Sequence, residues 1–131
     1  MIKNRHFNDV QLTHNFNLRE FESPDTGEVR IFLPLVEQLQ EIRDLIREPL
    51  FVISGYRTPE HNATLKDGVK NSAHLYGLAA DVRAATVPHH VVEGAAKVVG
   101  IPRIKVYDAI DGVRRGWVHL GYNTIPKKWE K

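Results

Sequence analysis

Between residues 33 and 47 the apolar side chains Leu35, Val36, Leu39, Ile42, Leu45 and Ile46 return at steps of three and four, which is the repeat of one helix face. The spacing predicts a helix over 33–47, with Pro34 suited to its first turn and an apolar stripe made for packing on a sheet. LFVIS at 50–54 is a short apolar run ending at Gly55, the pattern of a buried strand. A short helix over 59–65 follows, with Thr58 as its cap and Pro59 in its first turn. Residues 66–76, with Gly68, Asn71 and Ser72, read as loop; 78–83 reads as a second strand, and 88–99 as a second long helix closed by Gly100.

The last third has the pattern of a hairpin. Arms at 103–110 and 113–122 flank Asp111 and Gly112, a pair that favours a two-residue turn. Residues 1–30 scatter Phe7, Leu12, Phe16, Leu18 and Phe21 among turn formers and predict an ordered but irregular N-terminal segment; 126–131 is a polar tail. Helices set against a small, mostly antiparallel sheet make an α+β fold, and 131 residues suit a single domain spanning 1–131.

Composition narrows the chemistry. An apolar share of 42% and a charged share of 26% are ordinary for a globular chain. The net charge of +2 is spread along the sequence, so no nucleic-acid partner is expected. No run approaches the roughly 18 apolar residues of a membrane span, and no membrane partner is expected either. Without cysteine, disulfides, thiolate metal sites and cysteine nucleophiles are all excluded, and a metal must be held by His, Asp or Glu. MIKNRHFNDV has no apolar core of a signal peptide, so synthesis in the cytoplasm is expected, with any action outside depending on release by another agent.

Of the seven histidines, two can meet a carboxylate. His74 precedes Gly77 and the strand bearing Asp81, and a glycine there lets the chain turn back so that both residues reach one ion. Alternation along the strands sends Asp81 to one face, and in WVHLGY it puts Trp117 and His119 on one face together. Two imidazoles and a carboxylate form a recurrent catalytic zinc set with a fourth position for water. Spacing alone leaves alternatives open: Asp81 also suits a turn or salt bridge, and His119 a satisfied core imidazole.

SGYRTPEHN at 54–62, SAHLYGLAAD at 72–81 and WVHLGY at 117–122 resemble the M15 family of zinc peptidases, the D-alanyl-D-alanine carboxypeptidases and L-alanyl-D-glutamate endopeptidases whose fold is shared with Hedgehog domains. LTHNFNLREF near the start is similar to a subgroup common in phages and prophages. The resemblance implies one Zn2+ held by His74, Asp81 and His119, and Arg57 holding the substrate near its carbonyl or carboxylate. It implies a peptidoglycan stem peptide as substrate, a monomeric enzyme, and action on the wall after release in a phage or prophage setting. Arg57 follows a strand and a glycine, where a fork-shaped cation suits a carboxylate, though an ordinary salt bridge would also place it there. Ser72 suits support or substrate binding near the ligands, or a local cap.

The pattern departs from the family at the general base. An acidic residue three before the last histidine is expected, and here it is Gly116; Gly121 stands where some relatives carry Asp. Asp108 is the nearest replacement. With a two-residue turn, Ile104 opposes His119 and Asp108 opposes Arg115, which puts Asp108 on the His119 face but about 13 Å along the strand; a bulge at Gly116 would shorten this path. Asp111 is explained by the turn, and Glu60 or His61 can face the cleft instead. His89 and His90 diverge by about 100° on a helix and are not a metal pair. His6 and His14 suit exposed or locally satisfied positions, and Tyr76 and Trp117 suit either the cleft or burial. The rival reading is a zinc-stabilised binding or structural module without turnover.

Overall fold

The computed structural model describes residues 7–65, 72–108 and 115–122. Three helices, α1 (Leu33–Ile46), α2 (Pro59–Thr64) and α3 (His89–Val98), accompany four strands, β1 (Leu50–Ser54), β2 (Ala79–Ala84), β3 (Arg103–Tyr107) and β4 (Trp117–Gly121). The strands form one antiparallel sheet in the order β1-β2-β4-β3. This is the expected α+β architecture, with boundaries within a residue or two of the sequence reading outside the hairpin.

One face of the sheet is apolar. Ala80 and Val82 of β2 and Val118 and Leu120 of β4 are fully buried and share a core with Leu35, Val36, Leu39 and Ile42 of α1 and Val92 and Ala96 of α3. The i, i+3, i+4 stripe of α1 therefore lands where its spacing predicts, beside α3. The opposite face carries Asp81 and His119 as a directly opposed pair. Phe51 on that face is 53% exposed, so the site lies on the face that the long helices leave uncovered.

The irregular N-terminal segment is part of the core. Phe16 and Phe21 are buried with ring centroids 6.2 Å apart, and the Tyr56 N–H donates to the Phe21 carbonyl at 2.8 Å. A 3-10 turn, Leu18–Phe21, is closed by a capping box in which Asn17 and Glu20 exchange side chain to backbone bonds.

The hairpin corrects the sequence reading. Its paired arms are shorter than expected, and Lys105 opposes His119 where Ile104 was expected to. Asp111 and Gly112 lie outside the described residues. The ladder is one residue out of step with a two-residue turn at that pair, and in a pleat of period two a single-residue offset exchanges the faces. Asp108 is thereby moved away from the His119 face. It lines a cavity on the α3 side of the sheet with Val106, His89, His90 and Glu93, and its expected ladder pairing with Arg115 does not form.

Candidate metal centre and cleft

Ser72 starts the local structure that presents His74. Its Oγ accepts the His74 N–H at 3.2 Å and caps a 3-10 turn, Ala73–Tyr76. Gly77 ends that turn at φ 72°, a left-handed conformation for which glycine is suited. Its missing side chain also leaves room for the backbone of Arg30 and Ile31. The chain then enters β2, and Asp81 comes to stand beside His74.

One backbone bond and one from the His74 ring tie this turn to the loop after β1. The Arg57 N–H donates to the His74 carbonyl at 3.1 Å, and His74 Nδ1 lies 2.7 Å from the Gly55 carbonyl. A carbonyl only accepts, so Nδ1 carries the proton and Nε2 of the neutral ring presents a lone pair. That lone pair faces Asp81 Oδ1 at 3.3 Å, and His119 Nδ1 approaches the same oxygen at 2.9 Å. His119 can donate to the carboxylate, and His74 Nε2 can do so only as an imidazolium; with the ring neutral, two acceptors stand face to face in a site where His74 is 2% and Asp81 6% exposed.

A cation resolves this opposition. One candidate ligand atom from each of His74, Asp81 and His119 lies within 4.8 Å of the other two. Zinc ligands at bond lengths of about 2.1 Å stand about 3.4 Å apart in a tetrahedral arrangement, so the donor set and its spacing fit the ion. Burial pushes the Asp81 carboxyl up, but hydrogen bonds from His119 and His74 and the charge they carry when protonated outweigh it and hold Asp81 well below the usual carboxylate range.

Arg57 occupies the other side of Asp81. Its Nη2 donates to Asp81 Oδ2 at 3.2 Å, its Nε to Ser54 Oγ at 3.0 Å and its Nη1 to Asn62 Oδ1 at 3.4 Å. Desolvation lowers the guanidinium's affinity for its proton while Asp81 raises it, and the group stays charged. Among the described residues these bonds engage three of its five N–H groups. The motif at 54–62 singled out Arg57, but not Ser54 or Asn62, which hold it.

A cleft of ≈ 340 Å³ opens beside Asp81, walled by Glu20, Glu22, Arg57, His61 and Trp117 among others. Glu20, which lies within LTHNFNLREF, and Glu22 come from the N-terminal segment, and the sequence reading singled out neither. Trp117 stacks on Tyr107 with centroids 4.9 Å apart, whereas Tyr76 is 43% exposed and is not among the cleft residues. His61 lines the cleft and its exposed neighbour Glu60 does not. His14 is exposed, His6 lies outside the described residues, and His89 and His90 border the cavity on the α3 side.

Among the described residues no helix is long and apolar enough to cross a membrane. No curated protein and no solved structure matches the chain. The family model described as Peptidase M15 matches residues 10–121, a span that takes in both the N-terminal wall of the cleft and the strand bearing His119, and the chain belongs to the peptidase M15 family.

Proposed function

We propose that this M15 peptidase depends on zinc and hydrolyses a peptide bond in the stem peptides of bacterial peptidoglycan, as a D,D-carboxypeptidase or an endopeptidase. The observation that carries the reading is the convergence of His74 Nε2 and Asp81 Oδ1 at 3.3 Å with His119 beside them, a donor set that suits a metal cation. His74, Asp81 and His119 would hold the ion, which when bound supplies a Lewis acid and lowers the pKa of water toward neutrality. Arg57, fastened on three edges at the cleft wall, presents fixed positive charge to a substrate carbonyl or carboxylate. Trp117 offers an aromatic surface for the flanking residues.

The space at Gly116 favours one rival reading. A side chain there would meet the Tyr107 backbone, so no carboxylate occupies the position where the family resemblance places a general base, and a zinc-held module without turnover would show the same feature. Metal analysis of the purified chain, followed by product analysis on defined stem peptides for the native protein and His119→Ala, separates the two. Stoichiometric zinc with turnover lost in the variant supports the peptidase reading. Stoichiometric zinc with no turnover on any muropeptide overturns it, and a native chain that binds no zinc overturns both.

A further inference from the structure

Peptide hydrolysis needs a group that takes a proton from water and returns one to the departing amine. Gly116 and Asp108 do not provide it: the first has no side chain, and the second borders a cavity on the other side of the sheet. Among the described residues the titratable groups of the cleft are Glu20 and Glu22 of the N-terminal segment, Arg57 before α2, His61 on α2 and Asp81 on β2. Asp81 is engaged at both oxygens, by the two imidazoles and by Arg57. Arg57 does not give up its proton. Glu20 Oε2 accepts the Asn17 N–H at 2.7 Å in its capping box, and Glu22 Oε2 accepts from Asn8 Nδ2 at 2.8 Å. His61 differs from all of these. Its backbone N–H donates to Thr58 Oγ1 at 3.1 Å and its carbonyl accepts from Thr64 Oγ1 at 2.7 Å, while among the described residues its ring has no hydrogen-bond partner.

From this we propose that His61 is the proton-transfer residue of the peptidase, an inference that rests on the hydrolytic reading above. Imidazole is the side chain best suited to accept and release a proton near neutral pH. His61 stands on the first turn of α2, whose capping residue Thr58 is itself anchored by donating to Asp25 Oδ2 at 2.6 Å. His61 is thus carried on an anchored wall of the cleft that Asp81 and Trp117 also line. In the reaction the ring takes a proton from the attacking water as the water oxygen bonds to the carbonyl carbon and the carbonyl π pair moves onto oxygen. As that pair returns, the C–N bond breaks and nitrogen keeps the bonding electrons. Nitrogen then receives the proton from His61, giving a carboxylic acid and an amine with the ring restored.

The test uses the full zinc-loaded chain with His61→Ala and His61→Gln. Loss of a proton-transfer group lowers kcat by about 10²–10⁴-fold; unchanged zinc content and melting temperature, with KM within about threefold of native, show that site and fold persist. Added imidazole should restore part of the rate to His61→Ala, and the acidic limb of the native pH profile should disappear in His61→Gln. The His61 Cε1–Hε1 resonance, assigned by its absence from the variants, should shift when a phosphinate analogue of a D-alanyl-D-alanine dipeptide binds. An active native enzyme whose His61→Ala variant retains its kcat, or a His61 resonance that the bound analogue leaves unmoved, overturns the proposal alone. A native chain inert on every stem peptide overturns the peptidase reading and this proposal together.

Discussion

Ser54 stands opposite Asp81 on the neighbouring strand because one residue of β1 has no partner. Val52 pairs with Val82, and the next pair is Ser54 with Asp81, leaving Ile53 between them as a bulge. In regular pairing Ser54 would fall opposite Ala80 and point with Val52 into the core. The inserted residue turns Ser54 to the Asp81 face, where its Oγ receives Arg57 Nε at 3.0 Å. Bulges that re-aim a side chain beside an active site are a known use of such an irregularity, and here the re-aimed group fixes the cation that partners the Asp81 carboxylate.

Ser54→Ala removes that acceptor while leaving Arg57 bonded to Asp81 and Asn62. A hydrogen bond to a charged group contributes about 1.5–3 kcal/mol, less where water can replace it, so kcat/KM should fall by about tenfold. If Arg57 positions substrate, the loss appears mainly in KM with zinc content unchanged. Steady-state kinetics on a stem peptide with metal analysis on the same samples reads both quantities, and an unaltered KM would contradict the positioning role of this bond.

The parts that were legible in the sequence are those with a regular period. The stripe of α1 and the run of β1 are local patterns, and Asp81 and His119 each lie within a regular strand, so alternation allowed them to share a face and the β2–β4 register places them there. Ser54 escaped because a bulge has no compositional signature: LFVIS reads the same with or without an extra residue in the ladder. Asp108 was misplaced for a related reason. Its face depends on the hairpin register, and a dipeptide that suits a tight turn does not fix how many residues the connection contains. Glu20 and Glu22 were invisible because their segment has no period to read and is placed through Phe16, Phe21 and a backbone bond to Tyr56.

Asp25 ties that N-terminal segment to α2. Its Oδ1 accepts from Ser23 Oγ and its Oδ2 from Thr58 Oγ1, both at 2.6 Å, and these bonds, Ser23's foremost, hold the carboxyl below its ordinary value of 3.8. A carboxyl depressed in the folded state contributes stability that is fully present above the unfolded value and is lost as pH falls through the folded one. The native protein should therefore exceed Asp25→Asn in melting temperature near neutrality, with the gap narrowing as pH drops from about 5 to 3. Paired thermal melts across that range measure the gap; a gap that stays constant with pH would remove the carboxylate's charge from the explanation.

Gly116 is enclosed by backbone. A Cβ built there would meet the carbonyl of Tyr107 and come within 2.8 Å of Asp108 Cα, and the Gly116 carbonyl already accepts Arg83 Nε at 2.9 Å. Neither neighbour is the tip of a flexible side chain, so an added methyl has to displace the strand end that carries Trp117 and, two residues on, His119. Overpacking of this kind costs about 1–3 kcal/mol, which in a domain of this size lowers the melting temperature by about 2–12 °C. Gly116→Ala should melt lower by that margin. Gly116→Glu places a carboxylate at the position of the expected family base, yet it should lose stability to at least the same degree and gain no activity, because the side chain must first force Tyr107 aside. Differential scanning calorimetry with turnover measured on the same preparations decides the matter, since a Gly116→Glu protein that melts as the native does and hydrolyses faster would mean that this backbone yields readily and that a carboxylate can be seated there.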